Sequence, residues 1–527
     1  MMRRAHRVAN QLASAMLLLA MCGACAGSPR TADTIVIASG TDLEGMQPLT
    51  TVHPLSRQVQ RYLVFTPLVR LSEALDAVPW AASAWTWSAD RRTLTFVLDT
   101  TLRWHDGVAV TAADAHFTLD LARDSTTGYA RRGDLAALDS VVDSTRDRLR
   151  LHFARPQAGV PLVLAELPLL PQHRLRGVQG SALRRDAFTL APIGSGPYRV
   201  VSRTADQRWV FERVTGFPVR MGGDAATKTL VIAVVDEATT KVAGLVSGAL
   251  DMAGVNPATA MLVQRDPTLR VLSYPTFFTN WLVFNPACDA VRDVRVRRAI
   301  AIAIDRQRIV KAGAGGFGVP SDAPAADLAR DTTPVQGARA DSLLDAAGWR
   351  RSGSAIRTRR DVPLVLPMLS VSSGDNPVEQ LLQADLRTHG IDLRITTRDY
   401  GALLASARRG GGNHCAIYTG VAGDASRSQL AALFDPASAG SALDFGARRP
   451  ADLAPVFARM RTRTDTAARS AAWRDVRRIL ADSVPATPVF HSRGVQGVSR
   501  RLQHVVMDLR GELFSAARWT LSPVRAR

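Results

Sequence analysis

Lysine is nearly missing from this chain. Lys228, Lys241 and Lys311 are its only lysines, so arginine carries almost all of the formal charge of +19. The arginines are scattered and interleaved with Asp. A nucleic-acid groove needs its cations gathered and spaced with aromatics. No nucleic-acid partner is therefore expected. Cysteine is scarce too, with four in 527 residues. No Cys or His spacing makes a zinc box, so no metal site is expected. Gly194-Ser195-Gly196 lacks the Gly-x-Ser-x-Gly form of a nucleophile elbow. The glycines from Gly313 to Gly318 fit the letter of a dinucleotide motif, but a helical pattern precedes them and a Pro-rich loop follows. Phosphate would find no helix N-terminus there. No cofactor and no enzyme activity are expected. Beyond the first residues, no apolar run is long enough to cross a bilayer.

What is present is a globular composition, 46% hydrophobic and 21% charged. Its length exceeds one core and implies two or three domains. Arg3, Arg4 and Arg7 precede an apolar run over 12–21, which ends in Cys22-Gly23-Ala24-Cys25. That pattern predicts a signal peptide over 1–24, lipidation at Cys25 and a linker over 25–33. The expected location is the periplasmic side of the cell membrane, held by a lipid anchor. Export permits a disulfide between Cys288 and Cys415. A free buried pair is an equal alternative.

Local patterns are clear. Leu94, Phe96 and Leu98 alternate with polar or exposed positions, as in a half-buried strand. Asp106-Gly107 is a turn signal, and Thr111 with Asp114 forms a capping box. Ala113, Phe117 and Leu121 then share one helical face. His105 beside Asp106, with His116 following, looks like chemistry. The same residues also read as a packed strand, turn and helix. Trp80, Trp85, Trp87 and Trp104 read as core. Asp293 caps a helix with Val296, Ile300 and Ile304 in register. From residue 363 to 419, strands and helices alternate, which implies βαβ units.

These segments, in this order, resemble one family. Val78-Pro79-Trp80-Ala81-Ala82, Trp104-His105-Asp106-Gly107 with Val110-Thr111, and Gly194-Ser195-Gly196-Pro197-Tyr198 are similar to its motifs. So are Gly248-Ala249-Leu250-Asp251, Asp293-Val294-Arg295-Val296-Arg297, and Leu343-Leu344-Asp345-Ala346-Ala347-Gly348-Trp349. The family is the peptide/nickel class of extracytoplasmic solute-binding proteins of ABC importers. The resemblance implies an α/β, bilobal, periplasmic-binding-protein-like fold with hinge crossings and an extra subdomain in the first lobe. Lobe one would span 34–275, with the subdomain near 58–188 and a return over 490–527. Lobe two would span 276–489. The crossings would fall near Tyr274-Pro275-Thr276 and Val489-Phe490.

The implied function is capture of a peptide or similar mid-sized solute between the lobes, for delivery to an ABC importer membrane permease. An oligosaccharide or metal-chelate binder of the same fold, or a sensory lipoprotein, is the alternative. A monomer is expected. Alignment places Ala422 where peptide-binding members carry an Asp for the ligand's terminal amine, and Asp424 at a second acid. Asp424 as a cap for the next helix is equally open. The candidate cleft residues are Gly45, Met46, Asn280, Trp281, Tyr418, Thr419, Gly420 and Asp424.

Overall fold

The computed structural model describes residues 33–51, 53–322, 334–351, 353, 355–371, 377–398, 400–408, 414–423, 428–436, 445–446, 449–462 and 466–522. Among these, eleven strands form one mixed sheet. In chain order they are β1 (Thr34–Ser39), β2 (Tyr198–Thr204), β3 (Arg208–Arg213), β4 (Thr229–Val234), β5 (Met252–Gly254) and β6 (Leu269–Phe284). Then come β7 (Gly318–Pro320), β8 (Val365–Val371), β9 (Asp392–Arg398), β10 (Ala416–Ala422) and β11 (Ala486–Ser499). The order across the sheet is β9-β8-β10-β6-β11-β5-β1-β4-β3-β2, with β7 added on β11.

The two long strands, β6 and β11, join the halves. Leu269 to Pro275 pair antiparallel with Ser499 to Arg493, beside β5. The ladder then breaks at 276–278 and resumes with Thr279 opposite His491. The later part of β6 also pairs with β10, from Phe278–Ala422 to Phe284–Ala416. Each strand therefore runs from one hydrophobic core into another. The first core gathers buried residues from Ile35 to Met252 and from Val498 to Trp519.

In the other half, period two sends successive side chains of one strand to opposite faces. Leu282, Phe284 and Tyr418 enter one core, while Trp281, Val283 and Ile417 enter another. Helices cover both faces, which explains why these strands read as continuous apolar runs. The predicted βαβ alternation is present. β8 pairs in parallel with β9 and with β10, and the helices Pro377–Thr388 and Tyr400–Arg408 lie between the three strands in sequence.

A separate four-stranded sheet packs on the first half, in the order Ala82–Trp87, Thr93–Leu98, Arg148–Phe153, Leu138–Thr145. The corner after Thr93–Leu98 turns at Gly107, whose φ of +87° suits glycine. The helix Ala112–Arg123 follows, and Asp114 Oδ2 accepts the Thr111 N–H at 2.8 Å. Asp114 also accepts the Trp104 indole N–H at 3.4 Å and the Gln172 N–H at 2.9 Å. One carboxylate thus joins the motif tryptophan, the helix start and a distant loop. The helix buries Ala112, Asp114, Ala115, Thr118, Leu119, Leu121 and Ala122, while Ala113 is half-buried and Phe117 is half-buried against the same core. Of the expected face, Leu121 is buried and Phe117 packs against the core, and the buried side extends beyond it to Ala112, Ala115 and Leu119. The small alanines let the helix approach its sheet closely.

Two arginines of the Asp293 segment act as carbonyl clamps. Arg297 donates to Val291, Arg292, Ser483 and Val484 carbonyls. Arg306 reaches Pro488 O at 3.1 Å and Thr487 Oγ1 at 2.9 Å, both on β11. The planar guanidinium suits several fixed acceptors at once. Asp293 caps its helix as expected, accepting the Arg295 N–H at 2.8 Å. Cys288 and Cys415 form a disulfide across 127 residues of sequence, with Cα atoms 5.0 Å apart.

Candidate functional site

The region where β6 and β11 cross is the natural place to look for a solute site between two halves. Its polar groups bond across the strands. Thr276 Oγ1 donates to Ser492 O at 2.7 Å, and Asn280 Nδ2 donates to Ser492 Oγ at 2.9 Å. Thr279 Oγ1 meets His491 Nδ1 at 2.8 Å. His491 is buried, and burial holds its pKa down to about 4, so its ring is neutral at pH 7.

The sequence-derived candidates separate here. Asn280 and Gly420 are paired across β6 and β10 and lie together at the crossing. A Cβ on Gly420 would fall 2.3 Å from the ring of Phe278, which covers it. Trp281 and Thr419 are also a pair, but they are 3% exposed each, and Trp281 packs edge-on against Phe434 at 5.7 Å. Tyr418 points to the opposite core, and burial raises its hydroxyl pKa well above the usual phenol range. Trp281 and Tyr418 therefore cannot face one solute from the same side of the sheet, because adjacent positions on paired strands alternate.

Gly45 and Met46 are buried, and Met46 belongs to the first core. The Met46 N–H bonds Thr189 O at 2.7 Å. Gly45 makes room for Thr189, since a Cβ would lie 2.4 Å from its Cγ2. Asp424 and Cys25 lie outside the described residues. Ala422, the position aligned with an amine-binding Asp, is exposed at the end of β10.

Two features escaped the sequence reading. Phe278 is 37% exposed on the crossing strand, an aromatic face with glycine beneath it. The signal was available: two adjacent phenylalanines in a strand must point to opposite faces. The second is a charge cluster in the first half. Glu166 accepts from Arg131 at 2.6 Å and Arg57 at 3.0 Å, with Arg61 at 3.7 Å. Thr51, Arg57, Gln60, Arg131 and Glu166 line a small cavity of about 30 Å³. Gln60 Nε2 also donates to Gly45 O at 3.2 Å, which joins this cluster to the Gly45 loop. Sequence separations of 35 and 109 hid it.

The apparent His–Asp site dissolves. Asp106 Oδ2 meets His173 Nε2 at 2.8 Å, while His105 bonds the backbone of Gly194 and Gly196. The motif glycines 194 and 196 serve packing as well. Added Cβ atoms would fall 1.9 Å from Val64 O and 2.3 Å from Leu63 O.

This architecture, two sets of cores joined by paired crossing strands, is that of bilobal periplasmic binding proteins. The profile of bacterial extracellular solute-binding proteins, family 5 (middle), matches residues 76–439. The chain belongs to that family. It is 23% identical to the Dipeptide-binding protein of Escherichia coli over 91% of this chain and 93% of that one. It is 24% identical to the Nickel-binding periplasmic protein of the same organism, over 66% and 68%. It spans 63% of the length of Brucella relatives named for ABC-transporter peptide binding, at 29% identity. Among solved structures, NikZ from Campylobacter jejuni in complex with Ni(L-His) has a TM-score of 0.77 at 19% identity, covering 93% of this chain and 99% of that one. At that identity the likeness concerns the fold.

Proposed function

We infer that this chain is an extracytoplasmic binding protein that captures a peptide, or a metal chelate of similar size, between its lobes and delivers it to an ABC importer permease. The observation that carries this reading is the pair of strands β6 and β11 threading two sets of cores, with a break at 276–278 in their ladder. A ladder interrupted at 276–278 and shifted again between Asn280 and Trp281 can bend there, and closure over a solute needs such hinges. In this reading lobe one is 34–275 with 490–527, its subdomain is near 58–188, and lobe two is 276–489. Capture requires no covalent step, so no catalytic role is assigned to any residue.

The proposed contacts are Phe278, Asn280 and Gly420 on the crossing side, with Asp424 beyond β10. The Gly45 loop contributes through the Arg57–Arg131–Glu166 cluster, where three arginines meet Glu166 and Arg131 also meets Asp134 at 2.6 Å. Three arginines against two acids leave one positive charge in excess, which suits a solute carboxylate. With alanine at 422, the usual amine-binding acid is missing, which favours solutes whose amine is masked or metal-bound. Lipidation at Cys25, periplasmic exposure and a monomeric state complete the proposal.

A thermal-shift panel tests it. Peptides of two to nine residues, nickel–histidine and maltose would each be titrated against the full chain. A solute bound by the native form raises Tm with its concentration. The reading predicts a rise with a peptide or with nickel–histidine. A rise with maltose alone sinks it.

A further inference from the structure

A cavity of about 580 Å³ opens between the corner at 102–107 and the β2–β3 hairpin. Its volume lies within the range of small-molecule pockets, roughly 300–1,000 Å³. None of its lining residues comes from β6, β10 or β11, so it is separate from the crossing. Trp104 and Phe217 give it an apolar side. The corner itself is held by the hydrogen bonds of His105 to Gly194 and Gly196, so this wall is preorganised.

Charge is the unusual feature. Arg103, Arg199, Arg213 and Lys228 line the cavity against one acid, Glu212. Arg199 is paired with Glu212 at 2.8 Å. Together with Arg199, Lys228 also helps to hold the Glu212 carboxyl below the usual range, while Arg103 and Arg213 make no ion pair within 4 Å among the described residues. Arg103 donates to the Thr100 carbonyl at 2.6 Å, and Arg213 to the Ala226 carbonyl at 3.4 Å. Arg213 and Lys228 are also joined through their backbones, the Arg213 N–H bonding Lys228 O at 2.9 Å. Four cations against one acid leave an excess of positive charge at one concave surface. A multivalent anion would neutralise that excess and accept charge-assisted hydrogen bonds. We propose that this cavity binds a phosphate-bearing anion, either free in solution or as a lipid headgroup.

The test uses the full chain and two probes. Inorganic pyrophosphate is titrated by calorimetry, and sedimentation compares phosphatidylglycerol with phosphatidylcholine vesicles. The double variant Arg213→Gln/Lys228→Gln and the single variant Arg103→Gln report on the site. Arg148→Gln/Arg150→Gln, two exposed arginines of another sheet, controls for the same loss of charge. Binding of at least one probe, weakened about 10-fold or more in the site double variant and little changed in the control, supports the proposal. Pyrophosphate binding assigns a soluble source; selective vesicle binding alone assigns the lipid. If neither probe binds, or if the control pair loses as much as the site pair, the proposal is overturned. Arg103→Gln keeps the test open should the double variant fail to fold, with the same 10-fold criterion.

Discussion

His105 Nε2 donates a hydrogen bond of 3.0 Å to the carbonyl of Gly196. The Gly194 N–H occupies Nδ1 at 3.2 Å, which fixes the proton on Nε2. Two segments of 89 and 91 residues' separation are thus clasped by one neutral ring. Burial lowers the pKa of His105 to about 4. His105→Ala should destabilise the fold by about 1–3 kcal/mol and leave solute affinity unchanged. Chemical denaturation and binding measured on the same sample check both parts.

The same clasp makes a pH prediction. Unfolded histidine titrates near 6.5, while His105 in the fold titrates near 4. The unfolded chain therefore binds more protons between these values. The stabilising contribution is complete above pH 6.5 and is lost as pH falls towards 4, by up to about 3 kcal/mol. His491 is shifted in the same direction, to about 4. Tm should fall through this window, and His105→Gln should flatten only part of the fall. A variant whose curve overlays the parent would show that the ring does not titrate as argued.

Glycine at 196 is required by space. A Cβ there would lie 2.3 Å from Leu63 O, and backbone cannot yield as a flexible side chain does. Gly196→Ala should cost more than about 3 kcal/mol. Soluble yield and the denaturation midpoint measure this; a loss below about 1 kcal/mol would mean that the Leu63–Val64 turn adapts readily.

The Cys288–Cys415 bond closes a loop of 127 residues in the second half. Replacing both cysteines by serine should cost about 2–5 kcal/mol. Dithiothreitol should lower the denaturation midpoint of the parent and not of the variant. A parent indifferent to the reductant would carry free thiols.

Glu512 is half-buried, and its carboxyl accepts from Gln496 and from Tyr274 Oη, the latter at 3.3 Å. Burial raises its pKa above 4.5. An acid raised in the fold favours the native state below its unfolded pKa, and that advantage is lost as pH rises through the folded value. Glu512→Gln should therefore raise Tm near neutral pH and change it little at pH 4. A variant less stable than the parent at pH 7 would show that the carboxylate has a charged partner.

Much of the fold was legible because its signals are local. The cap at Asp293, the box at Thr111 and Asp114, and the alternation of Leu94, Phe96 and Leu98 depend on neighbours a few residues away. The site was less legible because it depends on partners far apart in sequence. Nothing near Trp281 announces that Phe434 will cover it, nor that Tyr418 will enter the opposite core. Glu166 meets Arg57 across 109 positions. His105 packs in a structural corner as its neighbours suggest, but its partners, Gly194 and Gly196, lie in another segment and could not be named from the local pattern.

Native mass spectrometry tests the central claim most directly. The full chain would be presented with an equimolar mixture of short peptides, nickel–histidine and maltose. Capture between the lobes predicts one peptide or one nickel–histidine per chain, and Phe278→Ala should weaken that complex about 10-fold, the scale of a lost aromatic contact. A chain that carries maltose alone, or a peptide bound equally well after Phe278→Ala and Asn280→Ala together, would contradict it.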